Sequence, residues 1–582
     1  MEHIKYAIEQ QDYQNAYDLL KNYLDTNPDY TDSLAIVEAS VYMGLEYWEQ
    51  ALECIKNGLK LNPINYELYF MLGNMYELSA EYSKAYLCYE NALYHCKDGG
   101  EDYAAIKECF QQFIARTGTK VPPVSIVMLT FNGSYCTRQC VESIRKYCTD
   151  SSYEIICVDN GSSDDTEDWL KEQRDIKSHF NHTNLGFAAG CNIGIRLADP
   201  NNDIFLLNND TVLTENALFW LRMGLYEKEE IGAAGSVTNC AGNKQVIDET
   251  YNTLAEYIEY GLKHNIPMEQ PLAYRLRLVG FALLLKRAAV DKTGDLDERF
   301  FPGNFEDDDY CTRLILNDYK LVLCRNSFIF HYGNMGFLSL KEQKKPYVSN
   351  FGLNYQRYMD KWHIDPSYSF FARNDIIELM QEEDKWEPIS CLDIGCACGG
   401  TLLEIQNHYP NAELYGIELD PYSAAFASHI ATVVQGNVET MGIPFDRVFD
   451  YIIMGDILEH LIEPEKLLNE LKSHLSERGT IITSIPNILH FSAIGQILKG
   501  SFEYADSGVL DRTHMRFFTL YNCIMMFHSC GYEMIAIRRI MQQPSEQQKE
   551  METFIDQLTA IPGVVDKEQF LVSQYIFRVR PI

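Results

Sequence analysis

The sequence predicts a multidomain chain in three parts: an N-terminal α-helical repeat array, a central α/β domain and a second, Rossmann-like α/β domain. Three observations predict it. An aromatic-and-alanine pattern recurs near the start at spacings of 35 and 34 residues. Two separate series of apolar, β-branched strands follow, with strands that run into polar or acidic turns. The 582 residues also exceed what one ordinary domain holds.

Composition narrows the functional classes. An apolar fraction of 46% supports real cores rather than a disordered chain. Lys+Arg 49 against Asp+Glu 83 leaves a net charge of −34. That excess argues against nucleic acid and against an anionic membrane surface, both of which need basic patches. No segment reaches the roughly 18–20 apolar residues of a membrane span. The opening MEHIKYAIEQQDYQ lacks a signal-peptide core, so a cytoplasmic location is expected. The 17 cysteines, scattered through helices and strands, suit reduced thiols. Neither Cys396-x-Cys398 nor Cys136-xxx-Cys140 has a second pair or a His at zinc-like spacing.

Residues 1–118 carry the repeats. In DYQNAYDLLKNYL, EYWEQALECIKNGL and EYSKAYLCYENAL, Ala16, Ala51 and Ala85 align, each preceded by an aromatic three residues earlier: Tyr13, Trp48 and Tyr82. NPDY (27–30) and NPIN (62–65) mark turns between helix pairs. Small and large residues at fixed places let paired helices interlock and stack. The segment resembles about three tetratricopeptide (TPR) repeats. That implies a docking surface for a protein partner, or a route to homo-oligomers.

Residues 121–365 begin with VPPVSIVMLTFNG, where two prolines stop the helical run and a strand follows. YEIICVDNGSSDDT and DIFLLNNDTVL are further strands, with helical stretches between them. This predicts an open parallel sheet with ligands at the strand C-terminal ends. Asn132, Asp159 and Asp210 stand at those ends, as a nucleotide site would need.

Seven stretches then come in one order: SIVMLTFNG, VDNGSSDDT, NLGFAAGCNIGI, FLLNNDTVL, GFALLLKR, FEDDDYCTRL and FIFHYG. Together they make the segment resemble family 2 glycosyltransferases of the GT-A fold, particularly rhamnosyl- and galactofuranosyl-transferase-like members. The resemblance implies that Thr130, Asn132 and Asp159 hold the nucleoside, and that Asn184, Gly186 and Gly190 border the diphosphate. Asp210 would hold a divalent metal, Mn or Mg. The usual Asp-x-Asp reads Asn208-Asn209-Asp210, so the first carboxylate is missing, and Asn209 would join the residues that bind the nucleotide-sugar. His331 would complete the metal site, and Phe281 would line a sugar. Four acids, Glu306 to Asp309, lead into DYCTRLILNDY, which reads as an amphipathic helix. Acids are ordinary at a helix N-terminus. By register with the family, however, Asp307 is the catalytic base of an inverting transfer. Glu306 and Asp309 would then be positioning groups, and Asp308 a solvated one. Crowded negative charge should raise the proton affinity of Asp307.

Residues 366–582 open with WEPISCLDIGCACGGTLLEI, a strand, a Gly-rich turn and a helix; AELYGIELD is a second strand ending in acid. Glycines that admit a nucleoside, and an acid that takes the ribose hydroxyls, follow the βαβ logic. ATVVQGNV, FDYIIMGDIL and GTIITSIPN are further strands; YEMIAIRRI and QYIFRVR suit a final antiparallel pair with no long helix between them. With GDILEHL (455–461) and DRTHMRFFT (511–519), the segment resembles class I S-adenosylmethionine-dependent methyltransferases. The resemblance implies that Asp393, Gly395, Gly399 and Glu418 hold the cofactor's methionine and ribose. Asn437 would meet its adenine, Asp456 would lie near the methionine end, and His460 and His514 are candidate catalytic bases. The middle glycine of the usual turn is Ala397, which costs little if its φ is negative.

The expected function is bifunctional. A sugar is transferred from a nucleotide-sugar, a UDP-sugar or a dTDP-sugar, to a protein such as flagellin at Ser/Thr, and the glycan or acceptor is methylated. The alternatives are a lipid-linked cell-surface polysaccharide as acceptor, or a methyltransferase domain that has decayed into a scaffold.

Overall fold

The chain is described by a computed structural model over residues 1–27, 29–96, 100–148, 153–333, 348–380, 385–544 and 549–582. Pro28 of the expected first turn lies outside these residues. The chain divides into two compact units, Met1–Arg357 and Tyr358–Ile582.

The first unit opens with seven helices: α1 (Glu2–Glu9), α2 (Tyr13–Thr26), α3 (Asp32–Gly44), α4 (Trp48–Leu61), α5 (Tyr66–Leu78), α6 (Tyr82–His95) and α7 (Glu101–Thr117). The three repeated aromatics are the first residues of α2, α4 and α6. The three repeated alanines are buried without residual exposure. Small residues on one helix receive rings from its partner: a Cβ on Gly44 would lie 2.1 Å from the Tyr13 ring, and one on Gly73 would lie 2.7 Å from Tyr89. This is why the pattern of small and large residues closes helix pairs.

A mixed sheet follows, with helices packed on it. Its strands are β1 (Val124–Thr130), β2 (Tyr153–Asp159), β3 (Ile176–Phe180), β4 (Asp203–Asn208), β5 (Thr211–Leu213), β6 (Ile231–Val237), β7 (Leu272–Arg275), β8 (Ala282–Leu285) and β9 (Lys320–His331). The order is β3-β2-β1-β4-β8-β6-β9-β5, with β7 also on β9. β3, β2, β1 and β4 pair in parallel, as the sequence predicts. β8 then runs antiparallel to β4 and β6, and β5 and β7 run antiparallel to β9. The sheet is therefore mixed rather than parallel. The antiparallel strands β5, β7 and β8 have only three or four residues each. Such lengths carry no readable alternation.

Among its helices, α8 (Ser134–Tyr147), α9 (Thr166–Glu172), α10 (Phe187–Leu197), α11 (Ala217–Leu225), α12 (Leu254–His264), α13 (Arg287–Thr293) and α14 (Glu306–Leu316), α11 is buried at every position. One side places Leu218, Leu221 and Leu225 in the core beneath the sheet. The other side places Phe219, Trp220 and Met223 among Ile55, Leu59, Tyr69 and Leu72 of the repeats. A helix with apolar side chains on both sides must be covered on both.

The second unit holds β10 (Ser390–Ile394), β11 (Glu413–Glu418), β12 (Thr432–Gln435), β13 (Phe449–Gly455), β14 (Leu475–Pro486), β15 (Tyr532–Met541) and β16 (Val572–Pro581) in the order β12-β11-β10-β13-β14-β16-β15. The first five are parallel; β16 pairs antiparallel with β14 and β15. The final antiparallel pair is present as expected, but helices Lys549–Thr559 and Lys567–Leu571 intervene in sequence. The chain order reverses between β10–β11 and β13. Open α/β sheets bind ligands at such a switch point.

Candidate active sites

In the first unit, the carboxyl edge of the parallel strands gathers polar groups. Thr130 ends β1 and donates to Asp159 Oδ1 at 3.0 Å. Asp159 ends β2, is fully buried, and also accepts from the Ser162 backbone N–H at 3.1 Å. Asn132 takes a left-handed φ of +59°, and its Oδ1 accepts from the Ser163 backbone N–H at 2.8 Å. Asn184 Oδ1 accepts from the Gly186 N–H at 2.8 Å and from Asn160 Nδ2 at 3.0 Å. Gly186 has φ +88°, and an added Cβ would lie 2.7 Å from the Phe301 ring, so glycine is required there. At Gly190 a Cβ would lie 2.2 Å from Leu129 Cδ1, so this glycine lets α10 close onto β1. Asn160 escapes sequence reading, yet its buried amide ties Asn181, Asn184 and the Gly186 carbonyl together. It stood inside the VDNGSS stretch, overshadowed by the acid beside it.

Asp210 follows β4, and its backbone carbonyl accepts from Tyr332 N–H at 2.9 Å beyond the end of β9. Its Oδ1 lies 3.2 Å from His331 Nε2. His331 Nδ1 is 2.8 Å from the Cys240 carbonyl, so Nδ1 carries the proton it donates. Neutral His331 then presents a lone pair to a carboxylate oxygen, and a cation must sit between them. Burial lowers the His331 pKa, but the hydrogen bond and charge of Asp210 outweigh it, and the net shift is upward. That cation is a proton or a metal ion. The donor set, imidazole nitrogen and carboxylate oxygen, fits a divalent metal. Asn209 Nδ2 instead donates to Thr137 Oγ1 at 3.0 Å. Phe281, expected to line a sugar, is only 1% exposed and stacks on the His331 ring at 5.2 Å. It supports the histidine from the core side.

Asp307 lies in the first turn of α14, behind Asn304 and Phe305, whose φ values are +77° and +72°. Its Oδ2 accepts from Gly280 N–H and its Oδ1 from Asp308 N–H, both at 2.9 Å. The next residue, Phe281, uses its carbonyl to accept from Asn208 N–H at 2.8 Å. Asp307, Gly280, Phe281, Asn208 and the Asp210–His331 pair thus form one continuous set of contacts. Burial raises the Asp307 pKa, against the pull of the two N–H donors. The direction is the expected one, but desolvation outranks crowding as its cause. Crowding appears at Glu306, raised well above the carboxylate range by burial first and by Asp307 second. Asp308 is not solvated as expected: its side chain is largely buried, 3.4 Å from Arg277 Nη1. Asp309 is fully buried and pairs with Arg313 at 2.9 Å.

In the second unit, Asp393 stands next to last in β10, almost fully buried, and burial, then the charge of Glu418, pushes its pKa up to about 7. Glu418 accepts from Ala397 N–H at 2.7 Å and Asp420 N–H at 2.8 Å. Gly395 and Gly399 have φ of +80° and +81°, and Ala397 between them has +46°. The condition for a cheap alanine is therefore not met. Asn437 is exposed and caps a short helix through Glu439 N–H at 2.9 Å. Asp456, with φ +58°, accepts from Arg373 Nη1 at 2.8 Å and Ser484 Oγ at 2.7 Å. Arg373 also grips Asp375 at 2.9 Å. No motif pointed to Arg373. His460 and His514 meet at a ring separation of 4.8 Å, although 54 residues part them in the chain.

The comparisons with known proteins fall on these two sites. Residues 125–290 match the glycosyl transferase family 2 model, and residues 368–537 match a methyltransferase domain model. Over 109 residues the chain is 27% identical to ajmaline N-methyltransferase of Rauvolfia serpentina; this covers 17% of the chain and 37% of that protein's length. Among solved structures, GalNAc-T7 with UDP, GalNAc and Mn2+ aligns at 15% identity and TM-score 0.34, over 46% of this chain and 52% of that one. A SAM-dependent methyltransferase from Aquifex aeolicus aligns at 14% identity and TM-score 0.25, over 38% of this chain and 96% of that one.

Proposed function

We propose, from an enzyme that carries a family 2 glycosyltransferase domain and a methyltransferase domain, that the chain transfers a sugar from a nucleotide-sugar with inversion and then uses S-adenosylmethionine to methylate the glycan or its acceptor. One observation carries the glycosyl half: the contact chain from the Asp307 carboxylate through Gly280 and Phe281 to the Asp210–His331 pair. A carboxylate held by two backbone donors is oriented to take the acceptor hydroxyl's proton. Asp210 and His331 would hold a divalent cation, Mn or Mg, which supplies Lewis-acid stabilisation of the leaving diphosphate. Thr130, Asn132 and Asp159 would hold the nucleoside of a UDP-sugar or dTDP-sugar; Asn184 and Gly186 would orient the diphosphate, with Gly190 fixing the helix behind them.

For the methyl half, the buried Asp393 and the glycine-lined turn fit a nucleoside-bearing cofactor. Asp393, Gly395, Gly399 and Glu418 would bind its methionine and ribose, Asn437 its adenine, and Asp456 would flank the methionine end. S-adenosylmethionine supplies an activated methyl group. What this chain must add is alignment of the acceptor atom.

For the acceptor we read a Ser/Thr hydroxyl of a surface protein such as flagellin. A cleft of about 600 Å³ between repeat helices, lined by Tyr30, Glu38, Tyr42, Glu49 and Glu53, supports a polypeptide acceptor. Among the described residues no helix is long and apolar enough to cross a membrane.

The test is nucleotide release from a panel of nucleotide-sugars, with and without manganese. Asp307→Asn is expected to lower turnover by at least about 100-fold while nucleotide binding persists. Unchanged turnover removes Asp307 as the base. For the methyl half, calorimetry with S-adenosylmethionine decides: no binding at millimolar ligand sinks it. Mass spectrometry of surface proteins from a deletion strain separates a protein acceptor from a lipid-linked one.

A further inference from the structure

GDILEHL and DRTHMRFFT are distant in sequence and laced together in space. Leu458–His460 is a single 3-10 turn just beyond β13. The 511–519 segment crosses it: Met515 N–H and Arg516 N–H both donate to the Glu459 carbonyl, at 2.8 and 3.0 Å. Arg516 Nη2 also donates to the Ile462 carbonyl at 2.6 Å.

This lacing brings three side chains together. Glu459 is 1% exposed, and neither of its carboxyl oxygens has a hydrogen-bond partner. His460 Nδ1 lies 3.3 Å from the Thr513 carbonyl and 3.1 Å from Thr513 Oγ1, whose hydroxyl donates to Asp511 Oδ1 at 2.6 Å and so accepts from the ring; His514 Nδ1 lies 3.2 Å from the Val509 carbonyl. A carbonyl only accepts, so each Nδ1 carries the proton and each Nε2 keeps a lone pair. One ligand atom from each of Glu459, His460 and His514 lies within 4.8 Å of the others. A buried carboxyl with no partner is costly whether ionised or protonated, since a neutral acid's O–H also needs an acceptor. A cation removes that cost. Backbone carbonyls that fix the far nitrogen of each ring are the usual outer support of histidine ligands.

We propose that Glu459, His460 and His514 form a binding site for a divalent transition-metal cation, separate from the Asp210–His331 pair. Two imidazoles and one carboxylate select zinc, manganese, cobalt or ferrous iron over magnesium and calcium, which favour all-oxygen sets. Ligand atoms at ~2.0–2.1 Å from zinc sit closer together than 4.8 Å, so the three close inward on binding. Three protein ligands leave a coordination position open. Asp456, three residues earlier, stands at the edge where the cofactor's methionine end was assigned. An acceptor oxygen or nitrogen would take the open position. That assignment of the acceptor rests on the methyltransferase reading; metal binding does not.

The experiment uses the full chain, stripped of metal and carrying Asp210→Asn and His331→Ala to silence the other cation pair. Calorimetric titration with Zn2+, and absorption spectra with Co2+, are expected to give one equivalent bound, with Co2+ bands of an imidazole-carboxylate site. Glu459→Gln and His514→Ala should each weaken Zn2+ binding by at least about 100-fold, with an unchanged circular dichroism spectrum and a cooperative urea transition as the measure of an intact fold. Should either variant lose that fold, His460→Ala and the Co2+ spectrum of the parent carry the test. No bound equivalent in the parent, or full binding in the variants, overturns the site. Zn2+ binding without S-adenosylhomocysteine binding keeps the metal site and removes the methyltransferase reading.

Discussion

Ala397 holds a left-handed backbone where glycine is at ease, and its N–H donates to Glu418. A β-carbon in that region costs roughly 1–2 kcal/mol. Ala397→Gly is therefore expected to stabilise the second unit by about 1 kcal/mol, after the greater freedom of glycine in the unfolded chain is deducted. A denaturation midpoint that falls instead would mean the methyl packs productively. Asp307 gives a second expectation. A base works ionised, and burial moves its ionisation to higher pH. The kcat/KM of glycosyl transfer should fall with an acid limb above the ordinary carboxylate value near ~4. Stability runs the other way: the folded state holds this proton more tightly than the unfolded one. That contribution is full below the ordinary pKa and is lost as pH rises through the raised one. A pH–rate profile with its limb at the ordinary value refutes the assignment. Register with the family singles out Asp307 in the sequence but could not tell that Glu306 is buried and Asp308 largely so, because a run of acids looks the same in water and under a helix. Glu459 is silent in the sequence for the same reason: its burial without partners exists only once residues 511–519 cross it.

At the level of elements, the repeats were the most legible, since alanines that must accept a neighbouring helix leave a fixed period. The short antiparallel strands β5, β7 and β8 were the least. α11 lies between these extremes: helical stretches between the strands are expected from the sequence, but not that one of them is covered by the repeats. That contact has a charged lock. Arg222 is buried and ion-paired to Glu90 of α6, and its Nη2 donates to the Pro122 carbonyl at 3.1 Å. Burial opposes the Arg222 charge, and Glu90 outweighs it. Removing one partner strands the other, so Glu90→Gln should destabilise the first unit by about 3 kcal/mol. Urea unfolding of the variant checks this; a change under about 1 kcal/mol would show that water reaches Arg222.

For the whole molecule, the order of the three parts was legible because each carries its own pattern, while the membership of each core was not. Each unit offers a ligand test. S-adenosylhomocysteine at about 100 times its Kd should add roughly 2.7 kcal/mol to the state that binds it. Hydrogen exchange should then slow in β10, β11 and β13, and in the loops that follow them. Slowing confined to the first unit would contradict the cofactor assignment.

Because α11 belongs to the core of the sheet and to the core of the repeats at once, the repeats are not a detachable attachment. An enzyme cut at residue 118 would expose Phe219, Trp220 and Met223 to water and leave Arg222 without its carboxylate. Exchange of repeat arrays between relatives, in a laboratory or in a lineage, would have to carry a matching α11 with it. The smallest heritable module on this side of the molecule therefore ends inside the catalytic domain.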